Sequence, residues 1–179
     1  MAKELKSGAG VPMAKRPEIL AALNSVAASH DVNPAAIAGI IDTESKWDSR
    51  NVSGSFIGLT QVGPDFVKKL GFTRKQFLDL SPGKQIEAYG TWLDSFKFTK
   101  KMKDHHIDCL ALPLARQAAV LQAMQFAPNA EKWKVALSKG DLTVPSTKTK
   151  QAKVLGDTSI GAMETYYAGF FKKHPPVFS

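Results

Sequence analysis

Cysteine is nearly absent: Cys109 is the only one in 179 residues, so no disulfide can form within the chain. Folding in a reducing cytoplasm is the simplest expectation, with Cys109 read as a small buried hydrophobe. No run approaches the ~18 consecutive apolar residues needed to cross a bilayer, which leaves no expected integral membrane segment. The opening stretch, MAKELKSGAGVPMAKRPE, has basic residues but no apolar core and does not have the pattern of a secretory signal. Zinc-finger, RNA-binding-sheet and basic-zipper patterns are missing, and no nucleic-acid partner is expected. A phosphate-cradling glycine loop, a dinucleotide fingerprint and a His-Glu-x-x-His spacing are missing too. His105 and His106, with Asp104 and Asp108, read as a solvated loop, because adjacent histidines diverge on a helix. Alternating strand patterns and internal repeats are also lacking, which points to an all-α class built from helices of modest length.

What is present suits one domain with a small appendage. The chain is 44% hydrophobic and 22% charged, ordinary for a globular protein with a proper core. The net charge of +8 predicts attraction to polyanions such as nucleic acid, anionic membrane or bacterial cell wall. Lys97, Lys100, Lys101 and Lys103 form the densest basic run, expected to be a solvated loop face.

Helix signals punctuate the rest. Residues 1–15 carry no periodicity and are expected to form a flexible arm. Pro17 opens a helix with Ile19, Leu20, Leu23 and Val26 on one stripe, fading near His30. Asn33-Pro34 caps and starts a second, with Ile37, Ile40 and Ile41 on its apolar face. Gly63-Pro64 starts a short helix that Gly71 ends, and Thr73 with Gln76 has capping-box spacing. Ser81-Pro82 opens a helix with Ile86, Tyr89, Leu93 and Phe96 in a stripe. A helix starting near Pro113 buries Leu114, Ala118, Leu121 and Met124 or Gln125, and a short helix containing Trp133 follows. Residues 141–156, rich in Thr, Lys, Ser and Pro, read as a loop. A last helix, from about Asp157 to Lys173, carries Ile160, Met163, Tyr167 and Phe170 and is expected to pack near the first helix.

One residue breaks the pattern in a way that suggests chemistry. The apolar progression of Ile37, Ile40 and Ile41 continues onto Glu44. Such a carboxyl either escapes to solvent at the helix end, pairing with Lys46 or Arg50, or is buried. Burial disfavours its charged form and would make it a proton donor near neutral pH. Glycoside cleavage needs such an acid at the leaving oxygen.

The residues after Glu44 add to this. Glu44-Ser45, then Asn51-Val52-Ser53, then Gly58-Leu59-Thr60-Gln61, resembles the signature of the soluble lytic transglycosylase and goose-type lysozyme family. Ser53 stands nine residues after Glu44, as in that family, and Gln61 seventeen, one short of the common spacing. Thr60 replaces the usual Met, and Gln85 stands for the family's Asn ahead of Ile86–Leu93. Ala123–Asn129 departs from the family's cleft-lining stretch and is closer to the Gln-Phe-x-Pro-Asn variants of phage-encoded members. The resemblance covers roughly residues 17–137 and is most specific over 44–61.

The resemblance implies a lysozyme-like fold at 16–140, with 141–179 forming a loop and a C-terminal helix packed on the same domain. It implies that Glu44 is the catalytic acid and then base, acting on the β-1,4 bond between N-acetylmuramic acid and N-acetylglucosamine, with no metal or cofactor. Ser45 would fix the helix end, and Ser53 and Gln61 would bind the sugar or its N-acetyl group. Gly58 would let the glycan approach the backbone. Tyr89 and Phe126 would be aromatic walls, although both also sit at core-packing spacing, and Gln125 and Asn129 would line the cleft. A hydrolase needs a second carboxylate. Asp42, Asp48, Asp65 and Glu87 are in range, but none falls where a partner is expected, which favours a single-glutamate transglycosylase over a hydrolysing muramidase. A non-catalytic virion or wall-binding protein is the alternative from another class. The expected partner is bacterial peptidoglycan. The chain is expected to be monomeric unless part of a virion, made in a host cytoplasm, and delivered to the wall at lysis or infection as a phage lysin.

Overall fold

The computed structural model describes residues 11, 13–104, 106–126 and 160–174. Among them the chain is helical apart from one small hairpin. The helices are α1 (Arg16–Ser29), α2 (Pro34–Ser45), α3 (Pro64–Lys69), α4 (Arg74–Leu78), α5 (Pro82–Ser95), α6 (Phe98–Asp104), α7 (Leu114–Phe126) and α8 (Ile160–Lys173). Strands β1 (Val52–Ser53) and β2 (Phe56–Ile57) pair antiparallel, Val52 opposite Ile57 and Ser53 opposite Phe56.

Local chemistry accounts for most helix starts. The Asn33 side chain accepts from the Ala35 N–H at 2.9 Å, and Pro34 occupies a position where its missing N–H costs nothing. Thr73 and Gln76 form the reciprocal capping box, and the Ser81 hydroxyl accepts from Lys84 N–H at the head of α5. The core forms where these helices turn their stripes inward. Ile19, Leu23 and Val26 of α1 face α5, with its Ile86, Tyr89 and Leu93, while Ile37, Ile40 and Ile41 of α2 meet the Ala118–Leu121 face of α7.

Three expectations change. The basic run at Lys97–Lys103 is not a loop: Phe98 and Met102, four residues apart, are buried and wind it into α6. Its lysines still reach outward, with Lys100 bridging Asp104 at 2.5 Å and Lys103 bridging Asp31 at 3.8 Å. Within the expected arm, Val11 is buried and Met13–Lys15 form a 3-10 turn. The last helix, α8, packs against α7 and reaches α2, where Phe171 meets Gly39, rather than lying on α1. The Trp133 helix and the 141–156 loop lie outside the described residues.

Candidate active site around Glu44

Glu44 sits in the last turn of α2. The chain reverses after it through two non-glycine residues in the left-handed region, Lys46 at φ 54° and Trp47 at φ 66°. Each costs roughly 1–2 kcal/mol, offset in part by burial of the Trp47 ring. The reversal folds the following loop back over the end of α2: Asn51 Nδ2 donates to the Glu44 carbonyl at 3.2 Å.

The Glu44 carboxyl is half-buried and pairs with no cation among the described residues. Arg50 instead reaches Asp79 at 3.5 Å, and the Lys46 ammonium stands over the Phe170 ring, 5.6 Å from its centroid. The carboxyl is held by Gln122 of α7, whose Nε2 donates to Glu44 Oε1. The Gln122 carbonyl oxygen in turn accepts from the Tyr167 hydroxyl of α8. Burial raises the Glu44 pKa above the ordinary carboxylate value, and the hydrogen bond from Gln122 partly opposes that rise.

Two more tyrosines feel this carboxyl. Tyr89 is wholly buried on α5, stacked on Trp92 with ring centroids 5.7 Å apart. Its hydroxyl has no hydrogen-bond partner among the described residues. Burial and then the Glu44 charge push its pKa up. Tyr166 is half exposed, and its pKa is raised by burial, Glu44 and Asp42. A partly open acid is thus bordered by one buried hydroxyl with an unused donor and by one exposed ring.

The turn after the hairpin forms the neighbouring wall. Gly58 has φ +78°, and its N–H donates to the Asn51 carbonyl at 2.9 Å. Gln61 Nε2 donates back to the Gly58 carbonyl at 2.8 Å and to Asn51 O at 3.4 Å. Gln85 of α5 ties three backbone segments here. Its Oε1 accepts from Leu59 N–H at 2.9 Å, while its Nε2 donates to Ser49 O at 2.9 Å and Phe77 O at 3.2 Å. Gln125 of α7 closes the turn from the other side, Nε2 to Thr60 O at 2.6 Å.

The sequence-derived residues therefore separate. Ser45 is buried and donates to Ile41 O at 3.0 Å, at the helix end. Gly58 is not open toward a ligand: a Cβ there would stand 2.6 Å from Gln85 Oε1 and 2.9 Å from Phe77 Cε1. The position needs glycine for its left-handed turn and for packing inside the protein. The amide nitrogens of Gln61 and Gln125 are spent on backbone carbonyls, and their Oε1 atoms are buried without a partner among the described residues. Ser53 lies exposed on β1. Phe126 ends α7, but its side chain, like all of Asn129, lies outside the described residues. Gln122 and Tyr167, which hold the Glu44 carboxyl through a chain of hydrogen bonds, are not among the residues that the sequence singles out. The available signal was a polar residue, Gln122, four positions after Ala118 on the buried face of α7. Tyr167 reads along the chain as part of an apolar stripe. Among the described residues no group of three His, Cys, Asp or Glu side chains is arranged to hold a metal, and no helix is long and apolar enough to cross a membrane.

No protein-family model, curated protein or solved structure matches this chain.

Proposed function

We propose that this chain is a lysozyme-like, peptidoglycan-cleaving enzyme that breaks the β-1,4 bond between N-acetylmuramic acid and N-acetylglucosamine through Glu44. The observation that supports it most is the Glu44 carboxyl itself, drawn from water far enough to raise its pKa and held at one oxygen by Gln122. A carboxyl so placed is protonated nearer to neutral pH than an exposed glutamate and keeps a second oxygen for a substrate. In the forward step the acid delivers its proton to the glycosidic oxygen as the C1–O bond breaks and positive charge develops on the sugar. The carboxylate left behind then accepts the proton of the muramic 6-hydroxyl as that oxygen bonds to C1, which yields a 1,6-anhydro end and returns Glu44 to its acid form.

The causes of the Glu44 shift favour this reaction over hydrolysis. Burial raises the pKa and Gln122 opposes the rise, and among the described residues no second carboxylate contributes. Water activation calls for such a partner; attack by the sugar's own hydroxyl does not. The basic surface suits an anionic wall, in keeping with a phage lysin made in a host cytoplasm.

The deciding experiment compares wild type with Glu44→Gln on purified peptidoglycan by turbidity, with mass spectrometry of released fragments. The expected result is clearing by the wild type alone, with anhydro-muramic ends. Reducing ends would make it a hydrolase. Equal clearing by both proteins would overturn the role of Glu44, and no clearing by either would favour a non-catalytic wall-binding role.

A further inference from the structure

We propose that Gln122 is a positioning residue for Glu44, its side-chain amide turned by the Tyr167 hydroxyl so that the N–H holds Glu44 Oε1 and leaves Oε2 to carry the working proton. The inference rests on the glycan-cleaving reading of Glu44 and names the group that tunes it. A glutamine side chain has two unlike ends: the carbonyl oxygen only accepts and the NH₂ only donates. Which end faces Glu44 decides whether the ionised or the protonated carboxyl is favoured.

The direction is set at the tyrosine end. Tyr167 is buried, and burial holds its hydroxyl protonated far above neutral pH, so it remains a donor. Its hydroxyl also meets the Thr43 side chain, and the hydrogen bond it donates runs to Gln122 Oε1. With the Tyr167 proton directed to Gln122 Oε1, Gln122 Nε2 points at Glu44. An oxygen that already accepts an amide N–H is a poor seat for a proton, so the acid form of Glu44 carries it on Oε2.

Among the described residues, the other titratable and charged groups around Glu44 do not supply this bias. Tyr89 from α5 and Tyr166 from α8 have raised pKa values and are neutral. Arg116, on α7 with Gln122, pairs with Glu164 of α8 at 2.9 Å. On its own helix end, Asp42 is a like charge and Lys46 lies against Phe170. Among the described residues Gln122 is the group that favours the ionised carboxylate, which the second half of an acid–base cycle needs.

The test titrates the Glu44 carboxyl carbon by ¹³C NMR in the full chain, its signal assigned by its loss in Glu44→Gln. Gln122→Met keeps length and removes the donor; Tyr167→Phe keeps the ring and frees the amide to turn. Both are expected to move the Glu44 midpoint up, Gln122→Met by about one pH unit, a size typical of a hydrogen bond to a charged group. The alkaline limb of kcat/KM should move with it. A purely structural role would lower activity or melting temperature and leave the midpoint in place, and an unmoved or lowered midpoint in whichever variants melt cooperatively overturns the proposal. If Glu44→Gln still clears peptidoglycan, the glycan-cleaving reading falls while the titration still judges Gln122. If Glu44→Gln is inactive and the midpoint does not move, only the positioning role falls.

Discussion

Phe171 of α8 occupies the space that any side chain at Gly39 of α2 would need, its ring edge 2.6 Å from where a Cβ would stand. The contact seats the C-terminal helix against the helix that carries Glu44. Four residues earlier on the same face of α8, Tyr167 reaches Gln122, so the docking of Phe171 and the geometry of the acid are linked.

Gly39→Ala is therefore expected to destabilise the protein by about 1–3 kcal/mol in urea unfolding, the usual cost of overpacking. Glycine in an ordinary helix interior behaves the opposite way, with alanine gaining about 0.5–1 kcal/mol. Gly39→Ala combined with Phe171→Leu should recover part of the loss. An alanine variant more stable than wild type would show that Phe171 does not set this position.

Glu44→Gln should be more stable than wild type at neutral pH. The folded-state pKa of Glu44 is raised, so its contribution to stability is fully present below the unfolded value, about 4.3, and is lost as pH rises through the folded value. Melting temperatures at pH 7 and at pH 4 provide the comparison. The advantage of the variant should shrink on acidification, and a gap that widens toward acid contradicts the assigned direction.

His30 works with the other sign. It is buried at the end of α1, Nδ1 3.2 Å from Thr99 Oγ1 and Nε2 3.7 Å from Asp94 Oδ1. Desolvation lowers its pKa against the pull of Asp94, the Gly90 carbonyl and Asp31. Its contribution is present above the unfolded value, about 6.5, and is lost as pH falls through the depressed folded value. Urea midpoints between pH 7.5 and pH 5 should drop more steeply for wild type than for His30→Gln. Parallel slopes would mean that His30 takes up its proton without cost.

Gln85→Leu removes the side chain that joins the Leu59 turn, the Ser49 loop and the end of α4. Leaving Leu59 N–H buried and unpaired is expected to cost about 1–3 kcal/mol. Amide hydrogen exchange should quicken at Leu59 and Gln61, and unchanged protection there would show that the turn holds itself.

Much of the framework could be read along the chain because its signals are local. Asn33-Pro34, Thr73 with Gln76 and Ser81-Pro82 each satisfy backbone groups within three residues, so they start their helices whatever surrounds them. The stripe that ends in Glu44 is local too, since it is a property of one helix. The α6 segment is harder to read, because its four lysines mask Phe98 and Met102, two buried anchors spaced four apart.

The sequence by itself determined the mostly helical class, most helix boundaries and the singular position of Glu44 on an apolar face. The tertiary structure alone decided what that carboxyl touches. Gln122 stands 78 residues from Glu44, and Tyr167 a further 45 beyond Gln122. Their meeting depends on how α7 packs on α2 and α8 on α7, which no short-range spacing encodes. Gly58 makes the same point, since the space its missing Cβ leaves is filled by Gln85 and Phe77, both brought there by folding. Capping and periodicity act within a turn or two of chain, whereas the environment of a buried carboxyl is set by side chains from other helices.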